Sequence, residues 1–240
     1  MPTPAGHADD ACKALAKDDY KEAERLVGVA LAGQPAEAQF HGLRGDIRLA
    51  QKRYGDARTN YQRAIERDPE YFAYYLGRGI ANSRDGERSA AKSDLNHSVE
   101  LLPTSVAYNE LGRIAEAEGD TAAALRYYQE AGGSGDAAGE AARANALRLD
   151  VARQPGRYVQ AAVSRDSAGR LLLEVGNPTS ATLYGVQVRV DAMDAAGRVR
   201  SVTRTLERVQ PGTLQRVLVT DQAADFVDAR ATVLSARAEP

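Results

Sequence analysis

Few side chains in this sequence could do chemistry, and their spacing limits what that chemistry could be. The three histidines, His7, His41 and His97, lie far apart and share no ligand spacing, whereas a metal site gathers its donors in short, repeated intervals. No metal ligand is assigned. The single cysteine, Cys12, has no histidine placed to act as its base, so it reads as a small buried residue. One cysteine also excludes an intrachain disulfide and a multi-cysteine zinc site. The stretch Gly133-Ser-Gly135-Asp-Ala-Ala-Gly139 has the glycines of a dinucleotide loop. It follows a helical segment rather than a strand, however, and its last spacing is wrong, so it reads as a turn. No cofactor is expected, no catalytic residue is assigned, and the chain reads as non-catalytic.

Other candidates have structural readings beside functional ones. Asn96-His-Ser98 matches a glycosylation sequon but falls inside a helical pattern, and Asn177-Pro-Thr179 is excluded by its proline. In the run Tyr71-Phe-Ala-Tyr-Tyr75, Tyr75 occupies a core position and Phe72 packs against the preceding helices. Tyr71 or Tyr74 is either packed or open to a partner. Arg198, Arg200, Arg204 and Arg208 fall on the solvent side of one strand, where charge discourages edge-to-edge pairing.

The elements that position these residues change character along the chain. Of 240 residues, 43% are hydrophobic and 27% charged, and the net charge is −2. That balance suits globular domains and carries no footprint for nucleic acid. No run approaches the ~18 apolar residues of a membrane span. The first ten residues lack a basic and an apolar region, so they do not read as a secretory signal. The chain is therefore either cytoplasmic or a mature form whose targeting segment is gone. Valine occurs only at 27, 29, 99 and 106 in the first 150 residues and then recurs in alternating runs. Two domains of different class follow, a helical one over 6–150 and a β one over 157–238.

A fixed period organises the first. Prolines fall at 35, 69 and 103, 34 residues apart, with Ala23, Ala57 and Ala91 twelve residues before them and Ala124 continuing the series. Four residues after each alanine stands a bulky group, Val27, Tyr61, Leu95 or Tyr128. Three further on stands a small one, Ala30, Ala64, Ser98 or Ala131. Gly45, Gly79 and Gly112 precede the later alanines by twelve, with Ala11 in that place in the first unit. Small residues let two antiparallel helices approach, the large one fills the gap on the same face, and proline ends the second helix. The period predicts hairpins over 6–34, 36–68, 70–102 and 104–132. The Ala-rich segment 136–150, with Leu147 and Leu149, is expected to cap the array. These residues resemble the tetratricopeptide repeat, most closely in Ala38–Pro69. The usual tryptophan site is held by His41, Tyr75 and Tyr108.

From Tyr158 the hydrophobic period is two. Val186, Val188, Val190 and Ala192 point one way and Gln187, Arg189 and Asp191 the other, while Leu171–Val175 reads as a buried strand. Turns at 177–180, 194–197 and 210–213 divide six strands, over 158–165, 170–176, 182–192, 198–206, 213–219 and 228–237, which predicts a small antiparallel sandwich. Val175-Gly-Asn-Pro, Val186–Val190, Asp194–Gly197 and Gln210-Pro-Gly212 are similar to immunoglobulin-like β-modules of bacterial envelope proteins, which implies an adhesive or spacer role. The order of repeats and then β-module also resembles the C-terminal region of bacterial periplasmic zinc metalloproteases of outer-membrane quality control. Their His-Glu-x-x-His motif does not occur here. The resemblance implies a periplasmic substrate-recognition region of, or partner to, such an enzyme.

Tetratricopeptide arrays present their first helices as a concave groove for a peptide or partner protein. Mapped onto the repeat, that groove holds Asp46, Leu49, Ile80, Ser83, Arg84, Asn109, Arg113 and Glu116. These residues either bind a partner or form a solvated face. The Lys/Asn set that clamps chaperone C-termini is missing, since Asp46 and Ile80 stand there. The resulting expectation is a protein-binding scaffold with no membrane span and no oligomeric state implied.

Overall fold

The computed structural model describes residues 3–220 and 226–239. The chain divides into two compact units, with the boundary between Gly139 and Glu140. Four helical hairpins fill the first: α1 (Pro4–Leu15) with α2 (Tyr20–Gly33), α3 (Ala38–Ala50) with α4 (Tyr54–Ile65), α5 (Phe72–Arg84) with α6 (Arg88–Leu101), and α7 (Ser105–Ala117) with α8 (Thr121–Gly132). Thr3, Asp19, Thr104 and Asp120 cap four of these helices by accepting backbone N–H groups that have no partner within the helix.

The small and bulky positions of the 34-residue period are packing positions, while its prolines are exposed. Ala23, Ala57, Ala91 and Ala124 are buried, as are Val27, Tyr61, Leu95 and Tyr128 and the small residues Ala30, Ala64, Ser98 and Ala131. The glycines explain the close approach. A Cβ on Gly45 would stand 2.7 Å from the Tyr61 ring, on Gly79 2.9 Å from Leu95, and on Gly112 2.6 Å from Tyr128. Ala11, fully buried, fills the same place in the first hairpin, where the facing residue is the smaller Val27.

The backbone repeats as well. Between the two helices of each hairpin one residue is left-handed: Asp18 (φ 58°), Lys52 (φ 59°), Gly86 (φ 88°) and Gly119 (φ 81°). Glycine meets that conformation without strain in two turns, and an aspartate and a lysine hold it in the others.

The described residues of the second unit contain most of α9 (Ala137–Arg153), a short turn of helix α10 (Pro155–Tyr158), and six strands: β1 (Gln160–Arg165), β2 (Leu171–Gly176), β3 (Thr182–Asp194), β4 (Val199–Val209), β5 (Leu214–Leu218) and β6 (Phe226–Glu239). They form two three-stranded antiparallel sheets, ordered β1-β2-β5 and β4-β3-β6. Residues 221–225 of the expected β-domain lie outside the described residues. The alternation is realised as read: Val186, Val188, Val190 and Ala192 are buried, with Leu171, Leu173 and Val175 of the other sheet, in one shared core. At 158 the chain is helical, and β1 begins two residues later. Leu147, expected on a closing face of the repeats, packs with Val151 in this β core. The two stand four residues apart on one face of α9, which carries that part of the helix into the second unit.

Candidate functional site

The residues assigned to the groove all lie on the first helices of hairpins two to four, and the structure ties most of them to partners. Asp46 of α3 accepts a 2.7 Å hydrogen bond from the Tyr61 hydroxyl, and Glu116 of α7 accepts one of 3.0 Å from Tyr128. Leu49 packs beside Tyr61, Ala57 and Ala81. Arg84 of α5 and Arg113 of α7 both donate to the same oxygen of buried Glu110, each at 3.0 Å. They form a fork that joins two hairpins, so neither guanidinium is simply waiting for a ligand. Ile80 and Ser83 remain half-buried, and the buried Oδ1 of Asn109 has no hydrogen-bond partner.

A cavity of about 310 Å³ opens on the same face, lined among others by Cys12, Gly42, Asp46, Tyr61, Tyr71 and Tyr74. Gly42 creates its back wall: a Cβ there would meet the Tyr74 ring at 2.5 Å. Tyr74 is 4% exposed and its hydroxyl has no partner. Burial first, and then the nearby carboxylates of Asp68, Glu37 and Asp46, push that phenol up to about 12. Tyr71 stands edge-on to it, ring centroids 4.8 Å apart, and is 45% exposed. The aromatic run is thus divided, with Tyr74 packed and Tyr71 open. Tyr75 is half-buried rather than core, stacked edge-on against His97 at 4.3 Å.

The Asp46 carboxyl keeps solvent access but sits among apolar and aromatic groups. Partial desolvation raises it above the ordinary carboxylate range, against the opposing hydrogen bond from Tyr61. Tyr61 is raised too, by burial and then by Asp46. Cys12 is exposed and lines the cavity, a correction to its reading as a buried residue: on α1 it stands one residue past the buried Ala11 and so off the packed face. Partial desolvation, followed by Asp46 and Asp9, raises its thiol. The sequence pattern does not reveal the cavity, because Gly42 lies outside the repeat period; the aromatic run at Tyr71 and Tyr74 is its one sequence signal.

The other candidates are placed plainly. His41 is buried, its Nε2 2.9 Å from the Pro35 carbonyl oxygen. Burial lowers the ring's pKa, more than that hydrogen bond raises it. Among the described residues no three His, Cys, Asp or Glu side chains are grouped to hold a metal. Residues 133–136 form a turn and Ala137–Gly139 already belong to α9; Asp136 accepts from the Gly139 amide at 2.8 Å and the Ser105 hydroxyl at 2.6 Å. Ser98 of the sequon is fully buried inside α6. Arg204 is engaged rather than solvated: it donates to the carbonyls of Leu218 and Val219 at 3.0 and 2.6 Å. No described helix is long and apolar enough to cross a membrane.

Comparison with known proteins agrees with this geometry. A model described as TPR repeat matches residues 45–86, and one described as tetratricopeptide repeat matches 105–131. The hairpins are tetratricopeptide repeats. Among solved structures, the APC/C hetero-tetramer Cut9–Hcn1 aligns at a TM-score of 0.58 and 19% identity, covering 65% of this chain and 31% of that one. A thermophilic TPR protein of Thermus thermophilus aligns at 0.55 and 18% identity, covering 62% and 81%. MamA aligns at 0.53 and 19% identity, covering 64% and 82%. At these identities the likeness is one of fold. No curated protein matches the chain.

Proposed function

We propose that this chain is a non-catalytic scaffold for protein–protein interaction, binding a peptide or partner protein along the face built by the first helices of its repeats. The observation that carries the reading is Asn109. Its carboxamide oxygen is buried and unpartnered on a face that also leaves Ile80 and Ser83 half-buried. A buried acceptor without a donor is costly, and an N–H of an extended segment laid across the helices satisfies it. The test is affinity capture from cell extract with the wild-type chain and with Ile80→Glu/Ser83→Glu. The variant is expected to lose a discrete partner while its helical circular dichroism is unchanged; equal capture by both counts against the groove. Arg84 and Arg113 are poor probes, because reversing them strips buried Glu110 of both its ion pairs.

The reading extends to where such a scaffold acts. A repeat array followed by a small two-sheet unit supports an immunoglobulin-like spacer in the bacterial envelope, serving substrate recognition for a periplasmic zinc metalloprotease. A His-Glu-x-x-His motif encoded upstream would sustain it, and a signal peptide ending directly before residue 1 would argue for a free-standing scaffold.

A further inference from the structure

The cavity between α1, α3 and α5 has a definite chemistry. None of its lining residues is cationic. Asp46 stands in its wall, and the fields of Asp9, Glu37 and Asp68 reach the Cys12 and Tyr74 side chains within it. Carboxylates collected around aromatic rings, in a space of about 310 Å³, make an environment that lowers the energy of a cation and raises that of an anion. The positive ends of α3 and α5 open beside it, but Glu37 is the N-cap of α3 and offsets that end, and Asp68 lies in the segment leading into α5.

Two polar atoms are left for a guest. Oδ1 of Asp46 takes the Tyr61 hydroxyl, while Oδ2 has no hydrogen bond among the described residues. The Tyr74 hydroxyl, on a side chain 96% buried, has no partner at all. Tyr71 and Tyr74 add ring faces and edges, and Leu43 and Ala73 apolar surface for an alkyl stem. We propose that this cavity is the receptacle for one basic side chain, a lysine or arginine, of the segment bound on the repeat face: the cation bonds Asp46 and the Tyr74 hydroxyl while its stem lies against Tyr71. The inference rests on the scaffold reading and adds to it the charge its ligand must carry. Nothing in the chain's net charge of −2 announces this, because the acidic groups converge only in three dimensions.

The test is a nuclear magnetic resonance titration of the intact chain with four blocked pentapeptides, Gly-Ala-X-Ala-Gly, where X is arginine, lysine, citrulline or glutamate. Arginine and lysine peptides are expected to shift the resonances of Gly42, Asp46, Tyr71 and Tyr74, and citrulline and glutamate peptides to leave them in place. Asp46→Asn keeps an acceptor for Tyr61 and is expected to fold normally while weakening the arginine peptide about fivefold, the equivalent of one lost charge contact at a partly exposed site. Tyr71→Ala, at an exposed position, gives a second variant that leaves the core intact and is expected to weaken it similarly. Citrulline binding as well as arginine, or unchanged affinity in both variants, overturns the proposal. So does the absence of any shift with arginine. A partner lost from Ile80→Glu/Ser83→Glu but retained by Asp46→Asn also overturns it, while leaving the scaffold itself standing.

Discussion

Replacing Gly77 by alanine sets helix propensity against packing, and the two disagree in sign. Gly77 lies inside α5, where alanine is favoured over glycine by about 1 kcal/mol. On propensity alone the variant gains stability. The Tyr61 ring, however, passes between α3 and α5 in a slot made by two glycines. A Cβ on Gly77 would stand 2.5 Å from its Cε1 and 2.7 Å from its hydroxyl oxygen, and one on Gly45 would stand 2.7 Å from Cε1. Tyr61 is 1% exposed and its ring is in close contact with both glycines, so it must shift out of its packed place, and overpacking of this kind costs about 1–3 kcal/mol. Displacing the ring also stretches its hydrogen bond to Asp46, a bond to a charged group worth about 1.5 kcal/mol or more. The net expectation is a loss of about 2–3 kcal/mol. Gly28 in α2 is the control: no atom lies within 4 Å of a Cβ there, so Gly28→Ala is expected to gain about 0.5–1 kcal/mol. Urea unfolding followed by the helical circular dichroism signal measures both, and amide exchange in α3 to α5 locates the loss, since a repeat array need not unfold as one. Tyr61→Leu should suppress much of the Gly77→Ala penalty, as the Leu95 that occupies the same place in the next hairpin suggests. If Gly77→Ala is as stable as wild type, the slot does not constrain the array and the packing argument fails.

Two further outcomes follow from backbone and buried polar groups. Lys52 holds the left-handed turn position that glycine holds at 86 and 119. Lys52→Gly is expected to stabilise the second hairpin by about 0.5–1 kcal/mol, the relief of strain exceeding the entropy glycine adds to the unfolded chain; a rise in thermal midpoint checks it, and a fall would show that the turn carries no strain. In the β-unit, the Asn177 amide donates to the carbonyls of Ala181 and Val209, both at 2.9 Å, while its oxygen accepts from the Thr179 amide and hydroxyl. Asn177→Ala removes these four bonds, although the Thr179 hydroxyl still reaches the Ala181 carbonyl at 3.0 Å, and is expected to destabilise this unit by about 1–3 kcal/mol. Amide exchange should rise in β2, β3 and β4 with the repeat helices unaffected; uniform protection would refute it.

What the sequence made legible was what chain-local geometry enforces. Glycine at 45, 79 and 112, the paired small residues and the proline stops are each required by two helices in contact, so a period of 34 residues could be read without knowing any long-range pairing. Valines alternating over 186–190 fixed the buried face of β3 in the same way, because a strand has only two sides. Pairing between distant segments was not legible. β4 and β5 are consecutive, yet β5 joins β2 and β4 joins β3, while β6 returns to the far side of β3. Nothing in the local alternation distinguishes a hairpin from a strand that changes sheet. The fate of α9 was hidden for a related reason: a helix shows which face is apolar, but Leu147 and Val151 do not say which core will receive it. The exposure of Cys12 and the role of Gly42 were not legible because neither residue obeys the period, and the cavity they help line exists only where α1, α3 and α5 meet.

The polar residues on the repeat face are, in part, set by the core behind it. Where the large residue of the second helix is tyrosine, its hydroxyl reaches a carboxylate on the first helix, Asp46 for Tyr61 and Glu116 for Tyr128. Where it is Leu95, the positions equivalent to those carboxylates hold Ile80 and Ser83, and no charge is present. The carboxylates at these positions therefore follow the tyrosines inside, one for each. Asp46 differs from Glu116 in what surrounds it: the Gly42 gap admits Tyr74, and with it an aromatic wall and a phenol left without a partner. A carboxylate required by the core becomes available to a guest at that one place because a glycine outside the repeat pattern opens the space beside it. Filling that gap offers a sharp discrimination. In Gly42→Ala the new methyl displaces the Tyr74 ring, so the cavity should lose its basic ligand while the Tyr61–Asp46 bond persists, separating the role of Asp46 in stability from its role in binding.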